Sequence, residues 1–424
     1  MLSIETLKNG LRIVTYEMPQ MRSASCTIWV SAGARYETPE ISGVSHFIEH
    51  LLFKGTKKRE DNLKISQAIE GVGGSINGFT DKEATCFLVK VPASEFLLGI
   101  DVLADIILNS LFLDESIERE RGVIIEEIKM VRDRPDSWVH EMLDDLIWPG
   151  QPMGMSIAGT LDSIVSMSKE AILDYFRSFY HPGNIVVSVA GNVSKEEVSR
   201  VVAEFFETRE SLDAKTFVPA DTGEEGPRVA VETRDTKQAN IVLGFPGYPR
   251  LHPKRYALEL LDVVLGQGMS SRLFQEVRVK RGLAYSVGSQ YSPHQDTGVL
   301  RIYAGVDPER GEDTIEVILG QLAKLRETPV RKDELRMAKD FYKGSLSLRL
   351  EDTLSLALRH GGHMTLSGKI IPVEEVLEKI ESVTEDDIQS VAMDLFIREK
   401  LSLAAVGPFR GEDEMMRVVD SSML

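Results

Sequence analysis

With 424 residues, 42% of them hydrophobic, and a net charge of −17, the chain is long enough to bury a large core, and its length points to two or three domains. The acidic balance argues against nucleic acid as a partner because no basic stripe offsets it. No apolar run reaches membrane-spanning length, and Met1-Leu2-Ser3-Ile4-Glu5 lacks the basic and apolar regions of an export signal. Cys26 and Cys86 sit in strand-like apolar runs without metal-ligand spacing, so the expectation is a cytoplasmic protein with two inert core thiols and no membrane partner.

In chain order, a strand-like run over residues 26–31 precedes a helix-like run over 44–53 that contains His46-Phe47-Ile48-Glu49-His50. On a helix, positions i, i+3 and i+4 share a face, so His46, Glu49 and His50 converge, as a metal site with a base beside it would require. The more familiar zinc-protease order is His-Glu-x-x-His, and here it is inverted. The competing reading is two surface histidines on an amphipathic helix. Next, residues 73–87 read as a glycine turn and two strands. A phosphate-binding loop is disfavoured there because no Gly-Lys-Ser/Thr follows.

A catalytic zinc takes three protein ligands and leaves a fourth position open. The helix-like run 118–131 offers Glu127, whose helical neighbours Val123, Ile124, Met130 and Val131 are all apolar. A carboxylate on such a face is costly unless it is paired or metal-bound. Glu120, two turns earlier on the same face, is placed to hold a liganding histidine from behind. The competing reading pairs both carboxylates with Arg119, Arg121 or Lys129 on a charged helix.

One fixed offset carries Gly33 onto Gly247 and Pro39 onto Pro253, with strand-like and helix-like runs matching on either side. The expected fold class is therefore α+β: two homologous domains duplicated within the chain, each a mixed or antiparallel β-sheet packed with α-helices. The acidic, Pro- and Gly-containing stretch near 213–228 reads as a linker between domains 1–212 and 229–424. The same offset places His46, Glu49 and His50 on Leu260, Val263 and Val264, so one half carries metal groups and the other does not. His360-Gly361-Gly362-His363 has ligand spacing, but two glycines argue against a rigid helix there, and a structural role is expected.

Together these segments resemble the inverted-motif zinc peptidases, the family of pitrilysin, insulin-degrading enzyme and the mitochondrial processing peptidase, in its half-length bacterial branch. The resemblance rests on residues 43–55, on Glu127 at the family's spacing from His50, on Gly73-Gly74-Ser75-Ile76-Asn77-Gly78-Phe79-Thr80, and on Arg278-Val279-Lys280-Arg281-Gly282-Leu283-Ala284-Tyr285. It implies that His46, His50 and Glu127 bind Zn2+ and that Glu49 is the general base. It also implies that Arg278 and Tyr285 stabilise the oxyanion and that Asn77 and Phe79 contact an extended peptide substrate. The family more often has Ala where this chain has Gly78, which predicts a slightly looser strand. In the longer relatives the Arg/Tyr pair comes from the opposite half of the molecule, so the resemblance implies a homodimer supplying Arg278 and Tyr285 in trans. The alternatives are a processing-peptidase subunit that removes targeting segments, or a non-catalytic assembly subunit.

Overall fold

The computed structural model describes every residue except Ala214, Glu224, Glu225 and Met423. Two compact units account for it. The first comprises Met1–Ile128, Met155–Val218 and Ser347–Ile370; the second comprises Lys129–Gly154, Pro219–Leu346 and Ile371–Leu424.

The sheet of the first unit uses β1 (Leu2–Thr6), β2 (Arg12–Glu17), β3 (Ser23–Val30), β4 (Ser75–Thr80), β5 (Thr85–Pro92) and β6 (Ile185–Gly191), in the order β1-β2-β6-β3-β5-β4. Only the β2–β6 pair is parallel; the other neighbours are antiparallel. β6 is buried along its whole length, as its nearly unbroken apolar sequence requires of a strand covered on both faces. In the second unit, β7 (Arg228–Thr233), β8 (Ala239–Pro246), β9 (Ala284–Pro293), β10 (Gly298–Val306) and β11 (Ser402–Gly407) run in the order β7-β11-β8-β10-β9, again with one parallel pair, β7–β11. Matching β2-β6-β3-β5-β4 to β7-β11-β8-β10-β9 pairs every strand in order, so the two units share one plan, as the internal correspondence predicts.

The division of the chain is not the contiguous one expected at 212/229. Each half gives up one helix to the other unit. Thr353–Ser367 lies on β3 and β6 of the first unit, and Pro135–Ile147 lies on β8 and β11 of the second. The physical cause is coverage: each sheet has two apolar faces, and its other helices cluster on one of them. Val14, Trp29, Cys86 and Val186 form a small core with Met364 in the first unit, while Val139, Leu143 and Ile147 pack on Val242 and Val406 in the second. Helical periodicity predicts an apolar stripe but not the sheet that receives it.

This exchange also explains Gly361 and Gly362, which lie inside the helix Thr353–Ser367 rather than interrupting it. A Cβ on Gly361 would stand 2.3 Å from Trp29 Nε1 and 3.0 Å from Ser188 Cβ, so only glycine lets the helix approach this closely. Contact with the sheet offsets a helix-propensity cost of about 1 kcal/mol per glycine. His360 is buried against Tyr16, with ring centroids 5.2 Å apart, and burial lowers its pKa to about 4.

The expected linker is not free chain. Arg35, 1% exposed, stacks on Phe217 at 3.6 Å and donates to the Val218 carbonyl at 3.3 Å, while Tyr36 meets Phe217 edge-on. In the second unit, Asp221 N donates to Gln151 Oε1 at 2.8 Å. Ala214, Glu224 and Glu225 of the 213–228 stretch lie outside the described residues. Both cysteines are buried, and burial pushes the Cys26 thiol up to about 12.

Candidate metal centre

The helix Val44–Leu52 turns Val44, Ser45, Phe47, Ile48, Leu51 and Leu52 into the core. The remaining face carries His46, Glu49 and His50, all half-buried. Its first turn is held from below. Gly43, at φ +91°, would clash with the Ala158 carbonyl if it bore a Cβ. The Glu37 carboxylate accepts from Gly43 N at 2.6 Å and from Ser45 N at 2.8 Å, satisfying amides that the helix leaves unpaired. Burial pushes Glu37 up to about 7 despite the pull of these donors. Glu37 lies well ahead of the helix start, outside any capping-box spacing, so local pattern does not find it.

Glu120 and Glu127 come from the helix Asp114–Asp133, two turns apart on one face. His46 Nε2 is 3.8 Å and His50 Nε2 3.6 Å from Glu127 Oε2, and the two imidazole centroids are 4.6 Å apart. On its other side His50 Nδ1 meets Glu120 Oε2 at 3.2 Å, and Lys54 Nζ meets Glu120 Oε1 at 2.9 Å. Glu120 is 3% exposed. With Nδ1–H donated to Glu120, the lone pair of His50 Nε2 faces Glu127 and His46.

His46, lowered to about 4 by burial and then by the nearby His50, is neutral at physiological pH, as a ligand must be. Burial alone would lower His50, but the bond to Glu120 and the charges of Glu127 and Glu49 raise it. Burial raises Glu49 against the pull of Thr80, whose hydroxyl donates to Glu49 Oε2 at 2.7 Å.

The donor set fits zinc. One nitrogen or oxygen atom from each of His46, His50 and Glu127 lies within 4.8 Å of the others. Tetrahedral donors at zinc bond lengths stand roughly 3.4 Å apart, close to the separations observed. Among the described residues this is the one group of three or more such side chains so gathered. The apolar surround expected for Glu127 is only partly buried: Ile124 is fully buried, whereas Val123 is 40% and Met130 54% exposed. What marks Glu127 is its convergence on the two histidines.

Asn77 and Phe79 are exposed on β4, on the parity opposite to Gly78 and Thr80. Strand alternation points Gly78 and Thr80 toward Glu49. Phe79, 37% exposed, meets Trp29 edge-on at 5.5 Å. Asn77 shares that parity, and its Oδ1 accepts from Gly78 N at 2.9 Å. Gly78 does not simply loosen the strand, because its missing Cβ leaves room beside the Glu49 carboxylate.

Arg278 and Tyr285 adjoin in the second unit. The Arg278 guanidinium lies over the Phe274 ring at 5.0 Å and the Tyr285 ring at 5.6 Å, at the end of a π-helical turn, Phe274–Val279. Tyr285 is 78% exposed. The offset that carries His50 to Val264 carries Glu120 to Glu334 and Glu127 to Phe341. There Glu334 holds Arg272 through two bonds of 2.7 and 2.8 Å, and Val263, Val264, Met337 and Phe341 line a cavity of about 300 Å3. The second unit keeps the scaffold and replaces the metal groups with apolar ones.

Fold and candidate site together match the zinc peptidase class, with two units of one plan and, among the described residues, one cluster suited to a metal. The chain belongs to the insulinase family, peptidase family M16, whose model matches residues 12–161; the model described as the M16 inactive domain matches residues 166–342. It is 40% identical to an uncharacterized zinc protease of Streptomyces coelicolor, covering 96% of this chain and 89% of that protein. It is 37% identical to an uncharacterized zinc protease of Bacillus subtilis, covering 96% and 98%. A crystal structure of a protease from Helicobacter pylori has the same fold, with a TM-score of 0.90 at 23% identity over 96% of this chain and 99% of that one. Zinc is the family's metal, and the centre above is where this chain's residues fit it. No helix among the described residues is long and apolar enough to cross a membrane.

The Glu120 contact has a measurable consequence. Glu120→Gln is expected to weaken zinc binding about 10- to 100-fold, read by competition with a chromogenic chelator, because the His50 ring loses its charged partner. Unchanged affinity would show that Glu120 serves Lys54 alone.

Proposed function

We propose that this chain is a zinc-dependent endopeptidase acting on peptides or short unfolded segments, with His46, His50 and Glu127 as ligands and Glu49 as general base. The observation that carries the reading is the convergence of these three donors on the helix face that also carries Glu49. Bound zinc supplies Lewis acidity, which favours ionisation of water and polarises a peptide carbonyl. The rest is done by the chain. An extended substrate adds to the free edge of β4 through main-chain hydrogen bonds. Glu49 takes a proton from the attacking water and passes it to the departing amine, a task suited to a carboxylate whose pKa burial has raised. Arg278 and Tyr285 donate to the developing oxyanion.

Supply of that pair by a second copy of the chain, in a homodimeric chamber, is part of the proposal. The high exposure of Tyr285 is what supports it here. The reading as a non-catalytic subunit is disfavoured because the ligand set, Glu49 and the Arg/Tyr pair are all present. The test is metal analysis with digestion of a mixed peptide library. Protein stripped by a chelator should cleave nothing, and stoichiometric zinc should restore cleavage. Full cleavage by verified metal-free protein would end the proposal.

A further inference from the structure

On the face of β4 turned toward the helix Val44–Leu52, two successive positions meet Glu49. Thr80 Oγ1 donates to Glu49 Oε2 at 2.7 Å. Gly78 shares that face by strand alternation. A Cβ built on it would stand 3.2 Å from Glu49 Cγ, 3.2 Å from Glu49 Oε1 and 3.0 Å from Phe53 Cε2. Gly78 is not among the residues with positive φ, so what a side chain there would meet is Glu49 and Phe53 rather than a backbone constraint. β4 is also the last strand of its sheet, bonded to β5 alone among the described residues.

We propose that Thr80 is a positioning residue for Glu49, so that the strand offering its edge to the peptide also sets the base. The inference rests on the reading of Glu49 as general base. A glutamate side chain turns about three torsions, and holding it in one geometry costs entropy that must be met before reaction. The Thr80 hydroxyl meets that cost in the resting protein by fixing Oε2. Oε1 is then the oxygen left to receive the proton. Because a peptide added to β4 would be bonded to the backbone that carries Thr80, its scissile bond and the base take their positions from one element. A β-strand edge without this link would hold substrate equally well but leave the base to its own rotamers, so the loss falls on turnover rather than on binding.

The experiment uses full-length, zinc-loaded protein. Thr80→Val is expected to lower kcat about 10- to 100-fold, with KM within about twofold and zinc content unchanged, the scale at which a misplaced catalytic group acts. Thr80→Ser, which keeps the hydroxyl, should return kcat to within about threefold of wild type. The double variant Glu49→Gln/Thr80→Val should be no slower than Glu49→Gln alone, since Thr80 acts through Glu49. In crystals of metal-free Thr80→Val protein, Glu49 should occupy more than one rotamer. The inference is overturned by Thr80→Val with wild-type kcat, by Thr80→Ser as slow as Thr80→Val, by loss of zinc from Thr80→Val, or by a single unchanged Glu49 rotamer. Glu49→Gln cleaving at the wild-type rate would remove the base assignment itself, whereas slow Glu49→Gln beside fast Thr80→Val removes only the role of Thr80.

Discussion

Glu49→Gln protein is expected to bind zinc as wild type does and to cleave peptides about 10²- to 10⁴-fold more slowly, the usual worth of a positioned general base. The substitution is nearly isosteric, so the core side of the helix Val44–Leu52 is untouched, and a glutamine carbonyl still accepts from Thr80. The three donors are His46, His50 and Glu127, none of which is altered. What disappears is the capacity to take a proton. Because burial raises the Glu49 pKa from its ordinary value, the native group is a stronger base than an exposed glutamate, which enlarges the difference. Metal content by mass spectrometry and turnover of a fluorogenic peptide measure the two properties separately. A Gln variant that holds zinc and cleaves at the wild-type rate is incompatible with the mechanism.

Mixing Glu49→Gln with Arg278→Ala protein, each nearly inactive alone, is expected to restore activity to about a quarter of wild type if the sites form across a two-fold interface. Random exchange makes half of the dimers mixed. In each mixed dimer, one of two sites draws Glu49 and Arg278 from the intact copies. The Arg278 variant should itself be slow by about 10²- to 10³-fold, the cost of removing one oxyanion donor. The stacking of Arg278 on Phe274 and Tyr285 means that its aliphatic and planar surface is lost along with its charge. Arg278→Lys is therefore a useful control, since it keeps the charge and loses the fork. If native mass spectrometry shows mixed dimers and no activity returns, the trans arrangement is wrong.

The metal groups were legible because helix geometry is local. Three residues at i, i+3 and i+4 share a face whatever the helix packs on, and the inverted motif could be read without knowing its neighbours. Glu120 and Glu127, on one face two turns apart, follow from the same periodicity. The duplication was legible for a related reason: a repeated plan leaves its spacing of strands and helices in the chain. Resemblance brings forward Asn77 and Phe79 as a segment, whereas strand parity, which decides the face each side chain takes, separates them from Gly78 and Thr80. Gly78 and Thr80, the neighbours on the other parity, are the ones that meet Glu49.

Local pattern and repeat spacing thus indicate most element types and the existence of two like halves, and they bring forward the candidate donors on two helices. They leave open every relation between segments distant along the chain. That His50 meets Glu120, that Glu37 caps the helix from outside its capping register, and that Thr80 reaches Glu49 are facts of packing. So is the exchange of Pro135–Ile147 and Thr353–Ser367 between the units. The reason is the same in each case. Periodicity is a property of one segment and says which residues share a face, while the partner of that face is chosen by how complementary surfaces fill space, which requires the other segments to be in place.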